Sequence, residues 1–277
     1  MQKNNMNLQD CAANLLSLSR DGVVVVPEMF NAHEVALVVR DFQAASAVPS
    51  SKLVLESNGE VRSLFLEQGD VPSIDVFVRQ KRLLEFAEAM LGSRVYAYQV
   101  KVNSKKALSG DLWPWHQDYV FWREKDGLPT PQILTAGVLL DDATEFSGPM
   151  YFVPGSHRDG VLQSLHREAP AGDYTNDLAK DLSYQLTSDV LMPLAKRLGM
   201  VSATGKAGSV VFFDCNVVHC SPNNLSPFDR RILFITYCSV DNIPEFVPRR
   251  RPNFLSNRDP SPLAPLDPDA FPTLRRN

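Results

Sequence analysis

Two histidines and one aspartate have the types and spacing that a metal ion requires. His116 and Asp118 form a His-x-Asp pair, and His219 lies far along the chain in a second apolar stretch. On a β-strand, residues i and i+2 point to the same face, so the imidazole and the carboxylate of the pair can converge. Two histidines and one carboxylate form the facial triad that leaves positions open at Fe(II). We therefore predict that these three residues are the metal ligands and catalytic residues.

A basic residue near the second histidine could hold an anion. Arg230 follows the loop 221–229 and is expected to begin an antiparallel return strand beside the metal. A buried arginine binds a carboxylate through two parallel hydrogen bonds, as a 2-oxoacid requires. Ser221 lies two residues after His219 and could donate its hydroxyl to the same carboxylate. Arg231 is the rival, but strand alternation directs it to the opposite face.

Composition restricts the class of protein. The chain has 277 residues, 44% hydrophobic, with a formal net charge of -4. The length and the hydrophobic fraction predict a sizeable core, and the mildly acidic net charge gives no reason to expect binding of nucleic acid. No apolar stretch approaches a membrane span, and the N-terminus has no leader pattern. The four cysteines show no metal or disulfide spacing, which favours free thiols in the cytoplasm.

The order of patterns predicts an α+β fold that is mainly β. Helices are expected at 8–18, at 32–45 with Asn31 as its cap, and at 73–91, ended by Gly92. The β-branched run 23–26 predicts a buried strand. Later strands are predicted at 95–102, 133–140, 150–153, 210–213 and 232–240. Helices followed by many strands indicate an antiparallel barrel or sandwich backed by helices.

Two segments depart from this pattern within one predicted domain, 1–277. Residues 162–200 interrupt the strands with a long insertion, which suggests a lid that orders when substrate binds. From residue 244 the chain is rich in proline, and we expect an extended arm on the surface or partial disorder. The basic runs 249–251 and 275–276 are expected to be solvated. His157 follows a Pro-Gly turn, so a structural role is expected for it.

These motifs resemble the phytanoyl-CoA dioxygenase family of Fe(II)/2-oxoglutarate oxygenases. The similarity rests on His116-x-Asp118, on the run 154–158 (Pro-Gly-Ser-His-Arg), and on His219 with Arg230, in order from about residue 15 to 242. Within the family, the motif regions look most similar to those of ectoine hydroxylases. The resemblance implies a double-stranded β-helix, the jelly-roll or cupin-like fold, backed by N-terminal helices. It also implies hydroxylation with Fe(II), 2-oxoglutarate and O2, supported by ascorbate.

The resemblance assigns roles residue by residue. It makes His116, Asp118 and His219 the iron ligands, and it places Arg230 and Ser221 on the distal carboxylate of 2-oxoglutarate. The matching positions for the cosubstrate pocket are Gln99, Asn103 and Thr135, and those for the substrate are Trp122, Phe234 and again Gln99. For the two aromatic residues, ordinary core packing is the alternative.

Some positions depart from the ectoine hydroxylase pattern. Gln117 stands where a serine is usual, 119–121 (Tyr-Val-Phe) is more apolar, and Thr135 and Gly137 replace serines. We expect these changes to alter the pocket and the substrate, and to leave the metal triad intact.

The predicted substrate is small and polar: a free or cyclic amino acid or a related natural-product intermediate. Ectoine hydroxylation proper is one alternative, and a non-catalytic jelly-roll binding protein with a relic metal site is another. Halogenation on the same scaffold requires a small residue in place of the carboxylate ligand, and Asp118 argues against it. The expected partners are a small-molecule substrate and at most a second copy of the chain in a homodimer.

Overall fold

A computed structural model describes residues 8–167, 178 and 182–266. Within this part, antiparallel strands form two main sheets that face each other, and helices cover the outer face of the larger sheet. The predicted α+β fold, mainly β, is confirmed as a jelly-roll-like sandwich. No helix among the described residues is long and apolar enough to cross a membrane.

The described helices are mostly N-terminal. They are α1 (Leu8–Asp21), α2 (Ala32–Ser46), α3 (Pro72–Val78), α4 (Lys81–Leu91), α5 (Tyr119–Asp126) and α6 (Ser188–Leu198), with a 3-10 turn at Ser156–Asp159.

The strands belong to a seven-stranded sheet, a four-stranded sheet and a small pair. They are β1 (Val23–Val26), β2 (Leu53–Leu55), β3 (Val61–Leu66), β4 (Val95–Lys105), β5 (Trp113–His116), β6 (Ile133–Leu139), β7 (Met150–Val153), β8 (Leu165–His166), β9 (Tyr184–Gln185), β10 (Val201–Ala203), β11 (Val210–Asp214), β12 (Val218–Ser221) and β13 (Arg230–Ser239). The sheet orders are β1-β11-β6-β13-β4-β3-β2, β10-β7-β12-β5 and β8-β9, and every pairing between these strands is antiparallel.

Strand alternation divides the larger sheet into a helix face and an inner face. On β13, Leu233, Ile235 and Tyr237 belong to the core beneath the helices. Ile232 and Phe234, which alternate with them, belong to the core between the two sheets. The same period of two operates on β6 and β11, so each central strand is buried on both faces. The inner face is the one that can present polar side chains to a site between the sheets.

Helix boundaries follow local chemistry where it is strong. The Asn31 side chain accepts hydrogen bonds from the backbone of His33 and Glu34, and the Glu34 carboxylate accepts from the Asn31 backbone. This reciprocal capping box starts α2 where we predicted. Gly92 ends α4 in the left-handed conformation, also as predicted.

The single helix predicted at 73–91 is wrong, because the chain forms two helices separated at Arg79 and Gln80. The backbone at this break bonds to the C-terminal arm: the Leu266 amide donates to the Arg79 carbonyl, and the Lys81 amide donates to the Leu266 carbonyl. A partner from the far end of the chain therefore satisfies the groups that a continuous helix would have paired internally. The sequence of residues 73–91 by itself does not indicate this break.

The hairpin of β2 and β3 and the helix α5 were not predicted. In β3, Arg62 is 2% exposed and makes an ion pair with Glu56 at 2.8 Å, so a charged residue occupies an interior position. This interrupts the apolar pattern by which strands are recognised. In α5, four successive residues from Tyr119 to Trp122 are buried, which removes the amphipathic period.

The insertion 162–200 contains α6 and one strand on each side of the undescribed residues 168–177 and 179–181. The Leu186 amide donates to the Trp115 carbonyl at 2.8 Å, so this segment joins the strand that ends in the first metal motif. The predicted ordering upon substrate binding stays a prediction, and part of it lies outside the described residues.

The C-terminal arm continues through residue 266, with a turn at 253–256, and follows the first part of β4, which β3 leaves unpaired. The Asn257 amide donates to the Tyr98 carbonyl at 3.0 Å, and the Leu263 amide donates to the Val95 carbonyl at 2.9 Å. Phe254 and Leu255 are buried. The arm therefore contributes to the interior as well as to the surface.

Candidate active site

The two histidines lie on neighbouring strands of the smaller sheet. His116 ends β5 and His219 lies in β12, and the antiparallel register sets the two residues directly opposite each other. Their ring centroids are 4.2 Å apart. Strand pairing thus brings together two residues that are distant in sequence.

Asp118 reaches this pair by a different route from the one we predicted. The strand ends at His116, and Asp118 has helical backbone angles as the N-cap residue of α5. Strand alternation therefore does not explain the convergence, although the convergence itself is observed. Asp118 Oδ1 lies 3.5 Å from His116 Nε2, and Oδ2 lies 3.9 Å from His219 Nε2. The three side chains form the one candidate metal-binding group found in the described part of the chain.

Backbone carbonyls orient both imidazoles toward a shared centre. His116 Nδ1 lies 2.6 Å from the Pro114 carbonyl, and His219 Nδ1 lies 3.0 Å from the Val217 carbonyl. A carbonyl only accepts, so each Nδ1 carries the proton and each Nε2 keeps its lone pair for a metal. The three candidate ligand atoms all lie within 4.8 Å of one another. Two imidazoles and one carboxylate on one side of an ion would fit Fe(II) with open positions.

Electrostatics keep the His219 and Asp118 side chains deprotonated. Burial lowers the pKa of His219 to about 4, and the neighbouring His116 acts in the same direction. Burial alone would raise the pKa of Asp118, but the His219 and His116 imidazoles hold it below its usual range. At neutral pH, the His219 imidazole is neutral and the Asp118 carboxylate is ionised. Both are therefore in the protonation state that binds a metal.

Arg230 extends from the larger sheet toward the same space. It begins β13, is 2% exposed, and donates through Nη2 to Ser221 Oγ at 2.7 Å and to the Gly148 carbonyl. Its Nε is buried and has no partner among the described residues. Arg231 faces the other way, in an ion pair with Asp141 at 2.6 Å. The predicted strand phase is therefore correct, but the return strand lies in the opposite sheet and faces the metal strands across the cleft.

The unpaired donor on Arg230 tests whether the site suits a dicarboxylate cosubstrate. Burial lowers the pKa of Arg230 to about 9, an effect that the Asp141 carboxylate only partly offsets. Among the described residues, the hydrogen-bond partners of its guanidinium are Ser221 and the Gly148 carbonyl, neither of them charged. A buried cation with an orphan N–H fits an incoming carboxylate. The residues present therefore fit a cosubstrate that bridges the metal triad and Arg230.

Lys105 supports this corner, and sequence analysis missed it. It is 1% exposed, and its ammonium donates to three backbone carbonyls: Asp111 at 2.6 Å, Ser221 at 3.1 Å, and Pro222. Lys105 is also the cross-strand neighbour of Arg230. The lysine therefore ties the backbone beside Ser221 to the loop that leads into β5.

All the predicted pocket residues line one cleft between the sheets. The predicted residues that line it are Gln99, Asn103, Trp122, Thr135, Ser221, Arg230 and Phe234, together with the metal triad.

Several of these side chains are held by specific contacts. The Gln99 amide donates to the Leu255 carbonyl at 2.8 Å, and Asn103 Oδ1 accepts from Ser63 at 2.8 Å. The Thr135 hydroxyl lies 3.2 Å from that of Thr236. These contacts fix the polar wall on the larger sheet.

Two basic residues of the cleft were not predicted as site residues. Lys101 lies between Gln99 and Asn103 on the inner face of β4, so the same alternation could have identified it. Its Nζ lies 5.6 Å from the Phe65 ring centroid and 5.8 Å from that of Phe234. Arg251 comes from the basic run that we had expected to be solvated. It lines the cleft and forms a bidentate ion pair with the fully buried Asp126.

The departures from the ectoine hydroxylase pattern fall in different places. Thr135 and Phe121 line the cleft, as expected for changes that alter the pocket. Gly137 does not line it, but a Cβ there would lie 3.0 Å from the Phe234 ring. Gln117 was expected to alter the pocket and instead points away from it, with hydrogen bonds to Gly160 and Asn216. His157 lies outside the metal triad, and its ring packs against Gly22.

Comparison with known proteins gives consistent matches. The family model for phytanoyl-CoA dioxygenase (PhyH) matches residues 18–232. The ectoine dioxygenase of Bordetella bronchiseptica is 35% identical over 266 residues, which cover 92% of this chain and 85% of the relative. The L-proline trans-4-hydroxylase of Streptomyces griseoviridis is 33% identical over 253 residues, which cover 90% of this chain and 94% of the relative.

A solved structure has a similar fold over most of the chain. EctD from S. alaskensis with 2-oxoglutarate and 5-hydroxyectoine superposes with a TM-score of 0.79 at 30% identity. The match covers 96% of this chain and 90% of that one. The similarity therefore includes both sheets and the cleft between them.

Proposed function

The chain belongs to the phytanoyl-CoA dioxygenase family, and we propose that it is an Fe(II)- and 2-oxoglutarate-dependent hydroxylase of a small, carboxylate-bearing, amino-acid-like substrate. The predicted family, fold and enzyme class are confirmed by the matches. The observation that carries the proposal is the open face of His116, Asp118 and His219 opposite a buried Arg230 with an orphan donor.

When bound, iron, 2-oxoglutarate and O2 supply the oxidising power that inserts one oxygen atom into a C–H bond, with release of succinate and CO2. The protein residues bind and orient. Arg230 and Ser221 grip the distal carboxylate of the cosubstrate, and the triad holds the metal on one side. The apolar walls Phe213, Phe234 and Phe121 exclude water from the reacting centre.

The basic lining of the cleft supports a substrate that carries a carboxylate. Lys101 and Arg251 both line the cleft beyond the pair that grips the cosubstrate. Asp126 fixes the guanidinium of Arg251, and Lys101 projects between two aromatic rings. A substrate carboxylate would bind between these cations, as in recognition of anions by fixed basic groups.

A substrate panel tests the reaction class and the substrate together. The purified protein is incubated with Fe(II), ascorbate, 2-oxoglutarate and free or cyclic amino acids, ectoine and proline included. We expect succinate release and a mass gain of one oxygen on one amino acid, and neither with the Asp118→Ala variant. A protein that binds Fe(II) and 2-oxoglutarate but releases no succinate across the panel would support the alternative of a binding protein.

A lysine variant tests the substrate class within the same site. Lys101→Met should raise the KM for the substrate by about 10- to 100-fold, the range expected for loss of one charged hydrogen bond of ~1.5–3 kcal/mol. The affinity for 2-oxoglutarate should stay within about threefold, because Arg230 carries that contact. Arg249→Met, in the same basic run as Arg251 but not among the cleft residues, is the matched control.

Ectoine hydroxylation is the second candidate, since the ectoine dioxygenase of Bordetella bronchiseptica and EctD are similar to this chain. Thr135 and Phe121 line the cleft at positions where the sequence departs from that pattern, so we expect another substrate to be preferred. Efficient turnover of ectoine in the panel would reverse this order.

We also propose a homodimer and a cytoplasmic location. Leu108, Phe146, Leu225 and Phe228 are each about 70% exposed, and backbone hydrogen bonds link their loops (the Leu225 amide to the Phe146 carbonyl, and the Leu108 amide to the Ser226 carbonyl). An exposed apolar cluster of this kind supports association. Sedimentation of the wild type and of Phe228→Ser tests the homodimer, with a monomer expected for the variant.

The proposed cytoplasmic location rests on the cysteines. All four are free thiols, which suits a reducing compartment.

A further inference from the structure

Gln117, the residue between two metal ligands, makes three hydrogen bonds with distant parts of the chain. It is 2% exposed. Its Nε2 donates to the Asn216 carbonyl at 2.6 Å and to the Gly160 carbonyl at 2.8 Å. Its Oε1 accepts from the Leu162 amide at 2.8 Å. One side chain therefore joins the His116–Asp118 turn, the turn that precedes His219, and the start of the insertion.

The pattern of partners fixes the orientation of this amide. Two carbonyls face its nitrogen and one N–H faces its oxygen, so a flipped amide would lose all three hydrogen bonds. A glutamate would face two carbonyls with oxygen atoms, and a serine is too short to span the three partners. Of the common side chains, glutamine alone matches this set of one acceptor and two donors at that length.

The segment that Gln117 holds has an unusual backbone. Gly160 has φ 67° and ψ -149°, a region that essentially only glycine occupies. Apart from its two chain neighbours, no described residue has an atom within 4 Å of where its Cβ would be, so the conformation, and not crowding, explains the glycine. Leu162 then packs beside Val153, Leu194 and Val218. The Gln117 amide thus holds the chain at the point where it turns into the insertion.

The other two partners lead directly to metal ligands. Asn216 belongs to the turn before β12, three residues ahead of His219, and Gln117 is adjacent in sequence to both His116 and Asp118. Gln117 is not among the residues that line the cleft, so it acts through the backbone and not by touching substrate or metal.

We infer that Gln117 is a positioning residue that sets the relative placement of the three metal ligands and couples it to the start of the insertion at Gly160–Leu162. The inference rests on the proposed function, because it assumes that the triad binds a metal. Residues that orient metal ligands from behind typically change metal affinity by ~10- to 100-fold when mutated. Coupling between two sites is reciprocal, so metal binding should also stabilise the hydrogen bond to the Leu162 amide.

The test measures metal binding and amide exchange, neither of which needs turnover. Co(II) affinity and NMR hydrogen exchange of the Leu162 amide are measured for the wild type, Gln117→Met, Gln117→Ser and a control, Gln185→Met. Gln185 lies in the insertion and donates one local hydrogen bond to the Leu182 carbonyl at 3.0 Å. If the methionine variant does not fold, the serine variant still gives the comparison, because it removes the same three hydrogen bonds with a smaller, polar side chain.

We expect both Gln117 variants to bind Co(II) about 10- to 100-fold more weakly and to exchange the Leu162 amide faster. Co(II) should slow that exchange in the wild type and in Gln185→Met, and not in the Gln117 variants. Metal affinity within threefold of the wild type would overturn the inference, even if exchange is faster, because the contact would then be structural only. A wild-type protein that binds no Co(II) or Fe(II) would overturn the proposed function itself, before any variant is compared.

Discussion

Replacement of Arg230 is the sharpest single perturbation of the cosubstrate site. The guanidinium is 2% exposed, donates to Ser221 and Gly148, and keeps an orphan Nε. Removing one side of a buried, hydrogen-bonded charge pair costs ~2–5 kcal/mol. Since 1.4 kcal/mol corresponds to a factor of ten, Arg230→Met should weaken 2-oxoglutarate binding by about 30- to 3,000-fold.

Arg231 provides a matched control on the same strand. It pairs with Asp141 on the opposite face, so Arg231→Met should change 2-oxoglutarate affinity by less than about threefold. Arg230→Lys keeps a positive charge but loses the planar fork, and its affinity should fall between those of the wild type and Arg230→Met.

Anaerobic titration calorimetry of the Fe(II)-loaded protein measures these affinities without turnover. Thermal unfolding of each variant checks that the buried substitution leaves a folded protein. Unchanged 2-oxoglutarate affinity in a folded Arg230→Met protein would refute the assignment. A loss confined to Arg231→Met would show that the cosubstrate lies on the other face of β13.

Three further predictions concern the metal ligands and the pocket wall. Asp118→Ala should abolish hydroxylation and weaken Fe(II) binding, measured by equilibrium dialysis, because the triad loses its carboxylate ligand; full activity in this variant would reject the triad. In the metal-free protein, burial lowers the pKa of His219 from 6.5 to about 4. Between these two pH values, the unfolded chain binds a proton that the folded protein does not bind, so the free energy of unfolding decreases as the pH falls. His219 should therefore account for a decrease of roughly 2 kcal/mol in the free energy of unfolding between pH 7 and pH 5. Urea unfolding of His219→Gln at both pH values should lack this decrease, and an equal decrease in the variant would contradict the burial argument. Gly137→Ser should displace the Phe234 ring, which lies 3.0 Å from the position of the new Cβ, and raise the KM for substrate more than that for 2-oxoglutarate in steady-state assays; equal effects on both would indicate general damage.

The parts of the site that sequence could predict are those governed by local rules. Alternation along β13 correctly separated Arg230 from Arg231, because the strand is regular from Arg230 to Thr236. Alternation failed at Asp118, where the strand changes into a helix after one residue. The His-x-Asp motif identified Asp118 as a ligand, but it did not reveal that the backbone turns from strand to helix between the two ligands.

Features that arise from contacts between distant parts of the chain could not be predicted from the sequence. Arg251 lies in a basic run that resembles solvated surface, but it pairs with the buried Asp126 and lines the cleft. The break between α3 and α4 likewise depends on Leu266, which lies far along the chain. Neither partner can be inferred from the local sequence, because the pairing arises from tertiary packing.

The C-terminal arm has a consequence for how the protein is made. Residues 251–257 supply Arg251 to the cleft and backbone partners to β4, and they are synthesised after every strand of both sheets. The strands can therefore pair before the arm docks, while the part of β4 that β3 leaves unpaired remains open to other chains. Docking of residues 251–257 then completes the binding cleft and covers this part of β4 in one step. A chain that ended before residue 251 would lack both.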